Sequence, residues 1–309
     1  MIVIACPGQG AQTPGFLAPW LELQAFADSL ASMQEASGID LRSFGTVSDA
    51  DTIRDTAVAQ PLIVAAGVAC VSSLLGGKSP KSMGISGVAG HSVGEITAAV
   101  TAGILSAEDG IKFVRERGSA MAKAAALEAT SMAAVVGGDE SVVIARLAEL
   151  DLTPANYNGG GQIVAAGAAG AIRALVAEGP AGARVIPLQV AGAFHTRYMQ
   201  PAVSSLAAYS SQLSPTNPEI SIWSNQAGQQ VVSGQEYLEL LVNQVSNPVR
   251  WDLCMQAMIN AGVTALIEVS PAGTLTGLAK RGMPGIETVA VKTPENIESA
   301  LSLINNHSA

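Results

Sequence analysis

The sequence predicts an α/β protein built on a largely parallel sheet. Three observations carry that expectation. The chain of 309 residues opens on a continuous apolar run, as expected of a strand buried on both faces. Strand-like and helix-like patterns then alternate along most of its length. Near residue 130 the texture changes, and a unit of roughly 65 residues reads as a small subdomain inserted in a larger one.

Residues 1–6, Met-Ile-Val-Ile-Ala-Cys, are the first strand, and Pro7-Gly8-Gln9-Gly10-Ala11-Gln12 is a tight loop after it. Residues 55–75 carry helical periodicity, with Pro61 placed near the helix start, where a missing N–H is tolerated. Residues 83–89 read as a short strand and 95–105 as a helix. A longer helix covers 107–126, with Ser106 as its N-cap and Glu108 and Asp109 in its first turn. In the inserted unit, 132–136, 162–166 and 184–188 read as strands, with helices over 141–149 and 169–178, a βαβ-like pattern. Beyond residue 194 the larger domain resumes, with strands at 220–224 and 265–269 and helices at 237–242 and 251–261.

Composition narrows the function classes. The chain is 49% hydrophobic and 13% charged, which suits a compact enzyme-like domain rather than a disordered one. A net charge of −9 argues against a nucleic-acid binder, because phosphate recognition rests on Lys and Arg. Cys6, Cys70 and Cys254 form no C-x-x-C pair, so neither a metal framework nor a disulfide framework is expected. The first residues lack a basic segment and are too short for a signal h-region. The apolar stretch at 62–75 is interrupted by Gly67, Ser72 and Ser73, short of the ~18 apolar residues of a membrane span. A cytoplasmic protein is the expectation.

The sharpest motif is Gly90-His91-Ser92-Val93-Gly94, a G-x-S-x-G sequence between a strand pattern and a helix pattern. That context suits a nucleophile elbow, in which the turn lifts the serine hydroxyl over the sheet edge. The helix N-terminus behind it offers free N–H groups to an oxyanion. The bland alternative is a structural turn. A serine nucleophile needs a base, and there are three histidines. His307 lies in a polar tail, and His91 is adjacent to Ser92, where consecutive side chains at a sharp turn point apart. His195 is left, although a lone histidine in an apolar segment is often structural.

Weaker signals surround these. The loop 7–12 lacks the further glycine of a dinucleotide fingerprint and the Lys-Ser/Thr of a Walker loop. Its N–H groups could face an anion at the sheet's carboxyl edge, or it could be an ordinary βα turn. Arg117 and Met121 share a helix face, and a solvated arginine is the simpler reading. Asn156, Asn158 and Gln162 flank Gly159–Gly161, read here as a loop, where their amides could orient a substrate or make turn bonds.

Taken together, these segments resemble the malonyl-CoA:acyl carrier protein transacylase family, related to the acyltransferase domains of fatty acid and polyketide synthases. The matching stretches are Pro7 to Gln12, Gly90 to Glu95, Arg117-Gly118 with Met121, Gly192-Ala193-Phe194-His195, and Gln244 with Asn247 to Trp251. Pro271 to Gly277 also fits, and the sequence looks most like actinobacterial members. Departures occur at Ala11, where serine is common, and at Gly192.

The resemblance implies an α/β-hydrolase-like catalytic domain over residues 1–127 and 194–309, with a ferredoxin-like small subdomain over 128–193. It implies Ser92 as nucleophile, His195 as base, and the Gln9 and Val93 N–H groups as the oxyanion hole. The imidazole would be steered by the main-chain carbonyl of Gln244 in place of a carboxylate. Arg117 would meet the free malonyl carboxylate. Met121, His91, Phe194, Asn156, Asn158 and Gln162 would line the substrate site, and Val93 and Phe194 match positions that accompany malonyl rather than methylmalonyl units. Malonyl-CoA and a holo acyl carrier protein are the expected partners, with no metal or redox cofactor, no nucleic acid and no membrane. Arg197, Lys280 and Arg281, the last two read as flanking a Gly277-Leu278 turn, are candidate docking cations. A serine hydrolase, the transacylase subunit of a malonate decarboxylase and a catalytically silent carrier-binding module are the rival readings.

Overall fold

The computed structural model describes residues 1–307; Ser308 and Ala309, which end the expected catalytic domain, lie outside the described residues. Ten strands run in chain order: β1 Ile2–Cys6, β2 Ile85–Gly90, β3 Thr130–Gly137, β4 Thr153–Gly159, β5 Gln162–Ala168, β6 Ala183–Pro187, β7 Ser221–Trp223, β8 Val249–Arg250, β9 Ala265–Glu268 and β10 Glu287–Ala290. The helices are α1 Gln24–Ser37, α2 Leu41–Thr46, α3 Thr56–Leu75, α4 Gly94–Thr101, α5 Ala107–Ala125, α6 Glu140–Glu149, α7 Ala169–Ala177, α8 Gln200–Ser210, α9 Gly234–Gln244, α10 Trp251–Asn260, α11 Thr274–Gly282 and α12 Asn296–His307.

The α/β expectation holds. Five parallel strands form one sheet in the order β10-β9-β1-β2-β7, with the fully buried β1 at its centre. Both neighbours of β1 are helix-connected crossovers, so its apolar run has no solvent face to alternate against.

Helix α3 forms much of the core beside this sheet, packing against α1, α4 and α5. Its start is fixed by Asp55, whose carboxylate accepts from the Ala57 N–H at 2.8 Å. Pro61 therefore lies in the second turn of the helix, not at its start. Gly67, Ser72 and Ser73 interrupt its apolar run but lie within one continuous helix, as the periodicity over 55–75 predicts. Gly67 is where α4 comes close: a Cβ there would meet Thr97 at 2.8 Å. By length and composition α3 could cross a membrane, but here it is the buried core helix.

The inserted region corrects the βαβ expectation. Its elements run β3-α6-β4-β5-α7-β6, and its sheet has the order β6-β3-β5-β4-β8. The β3, β4, β5 and β6 pairings are antiparallel. The segment Gly159–Gly161 is a tight turn between β4 and β5, with φ of 72°, 57° and 75°. Asn156 and Asn158 therefore sit on a strand, not in a loop, and Gln162 begins the next strand. Strand β8 comes from the C-terminal part of the chain and pairs parallel with β4, Asn156 opposite Val249. It ties the small sheet to the larger part.

Several elements differ from expectation. Helix α4 stops at Thr101, before Gly103 turns the chain at φ 77°. Helix α9 extends to Gln244, capped at its start by Ser233. Lys280 and Arg281 lie in the last turn of α11, and Gly277-Leu278 is inside that helix rather than a turn. The segment ending at His307 is helix α12, where His307 bridges Thr264 and Glu287 at 3.0 Å each. Cys6, Cys70 and Cys254 are free and buried.

Candidate active site

Ser92 sits on the turn from β2 into α4. Its φ of 52° is in the left-handed region, a conformation that costs a non-glycine residue ~1–3 kcal/mol unless its surroundings hold it. The turn is so tight that glycines must flank it. A Cβ on Gly90 would lie 2.1 Å from the Gly94 carbonyl carbon, and one on Gly94 would lie 2.1 Å from the Cys6 oxygen. Asn225, at the end of β7, holds the turn from behind. Its amide donates to the Gly90 oxygen at 2.7 Å and accepts from the Ser92 N–H at 2.8 Å. This residue is fully buried, so both bonds form out of reach of water.

His195 approaches from the other side of the cleft. It too has a left-handed backbone, φ 62°, and its N–H donates to the Val245 oxygen at 3.0 Å. Nε2 lies 2.7 Å from Ser92 Oγ, and Nδ1 lies 2.9 Å from the main-chain oxygen of Gln244. A carbonyl can only accept, so Nδ1 carries the proton and Nε2 is left to accept from the serine. Burial, then the Arg117 charge, hold the imidazole down to about 3, against the Gln244 carbonyl, which favours the protonated form. At neutral pH the ring is an uncharged base.

Arg117 corrects the simpler reading of a solvated charge. It is 1% exposed, on the buried stripe of α5 with Val114, Gly118 and Met121. One guanidinium nitrogen donates to Gln60 Oε1 at 2.7 Å. Another donates to Gln244 Oε1 at 2.8 Å and lies 3.5 Å from Ser92 Oγ. Burial lowers its pKa to about 10, with the Glu95 charge opposing, so it is a cation at neutral pH. Among the described residues it makes no ion pair. Both of its strong acceptors are neutral amide oxygens.

Behind this runs a buried network. Glu95, 1% exposed, accepts from the Asn225 N–H at 2.7 Å on one oxygen and from the Gln244 side-chain amide on the other. Burial raises its pKa to about 8, while the Asn225 N–H and the Arg117 charge pull it back. Gln60, Glu95 and Asn225 were not picked out as functional from sequence. Glu95 was visible as part of the motif, but nothing local announces that its carboxylate points inward.

A cleft of about 220 Å³ opens in front of Ser92. Gln9, Val93, His195, Met121 and Phe194 line it, so these predicted residues do come together. Neither the Gln9 nor the Val93 N–H has a hydrogen-bond partner among the described residues, which leaves both donors available to an anion. The opposite wall comes from the small sheet. Asn156 and Asn158, two apart on β4, share a face, and Gln162 joins them from β5. His91 Nε2 meets Asn158 Oδ1 at 2.8 Å, and Asn158 donates to Gln162 Oε1 at 3.1 Å. The His91 ring stands edge-on to Trp251 at 5.7 Å. Burial lowers its pKa, partly countered by the Asn158 bond.

The docking candidates do not gather in one place with equal freedom. Arg197 meets both oxygens of Asp151, at 3.3 and 2.6 Å, in an exposed ion pair. Lys280 and Arg281 are exposed, and Arg281 packs against Gly160 of the β4–β5 turn.

Comparison with known proteins places this geometry in a family. The acyl transferase domain profile matches residues 3–301. The chain is similar to the malonyl CoA-acyl carrier protein transacylase of Mycobacterium tuberculosis, 46% identical over 308 residues, covering 98% of this chain and 100% of that protein. It is similar to the crystal structure of MCAT from Mycobacterium tuberculosis, with a TM-score of 0.92 and 46% identity, covering 97% of this chain and 99% of that one. A malonyl-transacylase solved with its type II PKS acyl-carrier protein is 28% identical, TM-score 0.89, covering 98% and 99%.

Proposed function

The chain belongs to the acyl transferase domain family, and on that premise we propose that it moves a malonyl group from malonyl-CoA to the phosphopantetheine thiol of a holo acyl carrier protein through an ester on Ser92. The transfer would supply extender units for fatty acid or polyketide synthesis. The observation that carries the substrate class is Arg117. It is a buried cation with no carboxylate partner among the described residues, 3.5 Å from Ser92 Oγ. A buried charge left without a counter-charge is costly, and a substrate carboxylate supplies one. Arginine's fork also aligns such a carboxylate by two parallel bonds.

The geometry supports the following steps. His195 Nε2 takes the Ser92 proton as Oγ attacks the thioester carbon. The oxyanion is received by the Gln9 and Val93 N–H groups. Collapse breaks the carbon–sulfur bond, and coenzyme A leaves with the proton from His195. The carrier thiol then gives its proton to His195 and attacks the malonyl ester, and the same N–H groups hold the second oxyanion. Ser92 recovers its proton as it leaves. This is a ping-pong sequence that uses no metal or redox cofactor. His91, Asn156, Asn158 and Gln162 form the wall against which the acyl chain lies, with Met121 and Phe194.

We read the larger part, residues 1–127 and 194–309, as an α/β-hydrolase-like domain and 128–193 as a ferredoxin-like insert. The βαββαβ element order and the antiparallel β6-β3-β5-β4 arrangement support the second assignment.

The test is transfer of label. Protein is incubated with radiolabelled malonyl-CoA, and holo carrier protein is then added. Label on the carrier is the expected result. Label released as free malonate would replace this reading with a hydrolase, and no label on the protein at all would remove the covalent step.

A further inference from the structure

Three buried side chains behind Ser92, those of Arg117, Gln244 and Glu95, form a line of hydrogen bonds whose direction is set at the arginine end. Arg117 can only donate, and it donates to Gln244 Oε1 at 2.8 Å. At the other end the Glu95 carboxylate takes two donors, the Asn225 N–H at 2.7 Å on Oε1 and the Gln244 amide on Oε2. Gln244 lies between them, and a primary amide has one accepting end and one donating end. An arginine has no acceptor, so the amide oxygen must face it, and the NH₂ is then turned to Glu95, which takes it on Oε2.

We propose that Glu95 is a positioning residue for acyl selection: by accepting from the Gln244 amide it keeps that amide's oxygen on Arg117, and so sets the guanidinium for a substrate carboxylate. The inference rests on the reading of Arg117 given under Proposed function. It adds to that reading a residue that never touches the substrate.

Three features support it. Glu95 and Gln244 are both buried, so water cannot stand in for a lost partner. Among the described residues Arg117 has only one other strong acceptor, Gln60, so losing the Gln244 oxygen frees half of its fork. Gln244 also presents its main-chain oxygen to His195 Nδ1 at 2.9 Å, so its placement is held at a second point, independent of its side chain. Glu95 acts on the side-chain half alone.

The obvious alternative gives the opposite sign. If Glu95 were merely a counter-charge to Arg117, it would compete with the substrate carboxylate. Neutralising it would then strengthen malonyl selection. If it positions Gln244, neutralising it weakens malonyl selection. Glu95→Gln separates the two. Whichever way the new amide turns, its NH₂ faces either the Gln244 NH₂ or the Asn225 N–H, so a donor opposes a donor.

The measurement is the ratio of specificity constants for malonyl-CoA over acetyl-CoA in the parent, Glu95→Gln, Gln244→Met and the double variant. Each single change is expected to lower the ratio about 10-fold, the scale of a displaced binding group, and the double variant no further than the singles. The rate at which a fluorophosphonate labels Ser92 reports the serine–imidazole pair and should fall less than the malonyl constant. An unchanged or increased ratio in Glu95→Gln overturns the proposal, and so do losses that multiply in the double variant. Should Glu95→Gln not fold, as judged by circular dichroism, Glu95→Asp withdraws the carboxylate by one methylene, and its ratio must fall for the proposal to stand. A parent with no preference for malonyl over acetyl would instead sink the reading of Arg117, and this proposal with it.

Discussion

The two sides of Ser92 are built differently. Behind it, Asn225, Glu95, Gln244, Arg117 and Gln60 are all buried and joined by a continuous set of hydrogen bonds. In front of it, the small sheet contributes neutral amides, linked to the elbow by the single chain His91–Asn158–Gln162. The charged groups next to Ser92 thus lie in the larger part of the molecule, while the smaller sheet supplies a wall. On the proposed function the buried side would decide whether chemistry happens and on which acyl group, and the open side how well substrates and partners are held.

If that division is right, substitutions behind Ser92 should outweigh those in front. The largest effect belongs to the nucleophile. Ser92→Ala removes the only serine at a strand–turn–helix elbow among the described residues and should cost ~10⁶-fold in transfer, with the fold retained. Mass spectrometry of the parent after mixing with malonyl-CoA should place one malonyl adduct on Ser92. An adduct on a cysteine would move the chemistry elsewhere, an unexpected result given that Cys6, Cys70 and Cys254 are all buried and burial raises all three thiols.

Arg117→Ala comes next. Malonyl differs from acetyl by one carboxylate, and the arginine is the cation placed to meet it. Its loss should cost malonyl transfer ~2–5 kcal/mol, the scale for removing one member of a buried charge pair. Acetyl transfer, with no charge to match, should suffer much less. Equal losses on both substrates would make Arg117 a structural residue and erase the distinction between the two sides of the site.

The same division explains what could be read from the sequence. The elbow was legible because five consecutive residues carry both its chemistry and its backbone demands. His195 was legible by elimination among three histidines. Arg117 was harder: its helix face was clear, but charged residues are almost never fully buried, so burial had to come from the partners that α3 and α9 supply. Those partners, Gln60 and Gln244, lie 57 and 127 positions away in sequence. Glu95 and Asn225 show the limit more sharply, since their roles exist only where β2, β7, α4 and α9 meet. Strand β4 was missed for a local reason. Its sequence Thr-Pro-Ala-Asn-Tyr-Asn-Gly is poor in strand formers, and pairing with β5 and β8 overrides that preference.

A third, smaller effect concerns pH. An imidazole with an ordinary pKa near 6.5 would lose about 30-fold in its basic form on going from pH 7.5 to 5. His195 is held down to about 3 by burial and by Arg117, so its basic form persists through that window. The rate of acylation by acetyl-CoA at low substrate, which does not call on the alignment of Arg117 by Glu95, should therefore show no acid limb between pH 7.5 and 5. A tenfold loss per unit below pH 6.5 would mean that the site is far wetter than this packing allows.

The smallest effect is expected at the rim of the open side. Helix α11 lines the cleft with Thr274, Leu275 and Leu278, and its last turn carries Lys280 and Arg281 to the surface. An acidic carrier protein would approach a chain of net charge −9 only through such a local cluster. Arg197 is already engaged by Asp151 in an exposed ion pair, so Lys280 and Arg281, which make no ion pair among the described residues, are the pair to change first. Exposed charges are screened within ~10 Å at moderate salt, so each steers encounter more than it adds affinity. Lys280→Glu with Arg281→Glu should slow transfer to the carrier a few-fold and flatten its salt dependence. Loading of Ser92 from malonyl-CoA should change less, because that step needs no carrier. Stopped-flow measurement of the two half-reactions separates them. A variant slowed in loading as much as in transfer would mean that α11 shapes the cleft itself, and the open side would then share in the chemistry rather than only receive the partner.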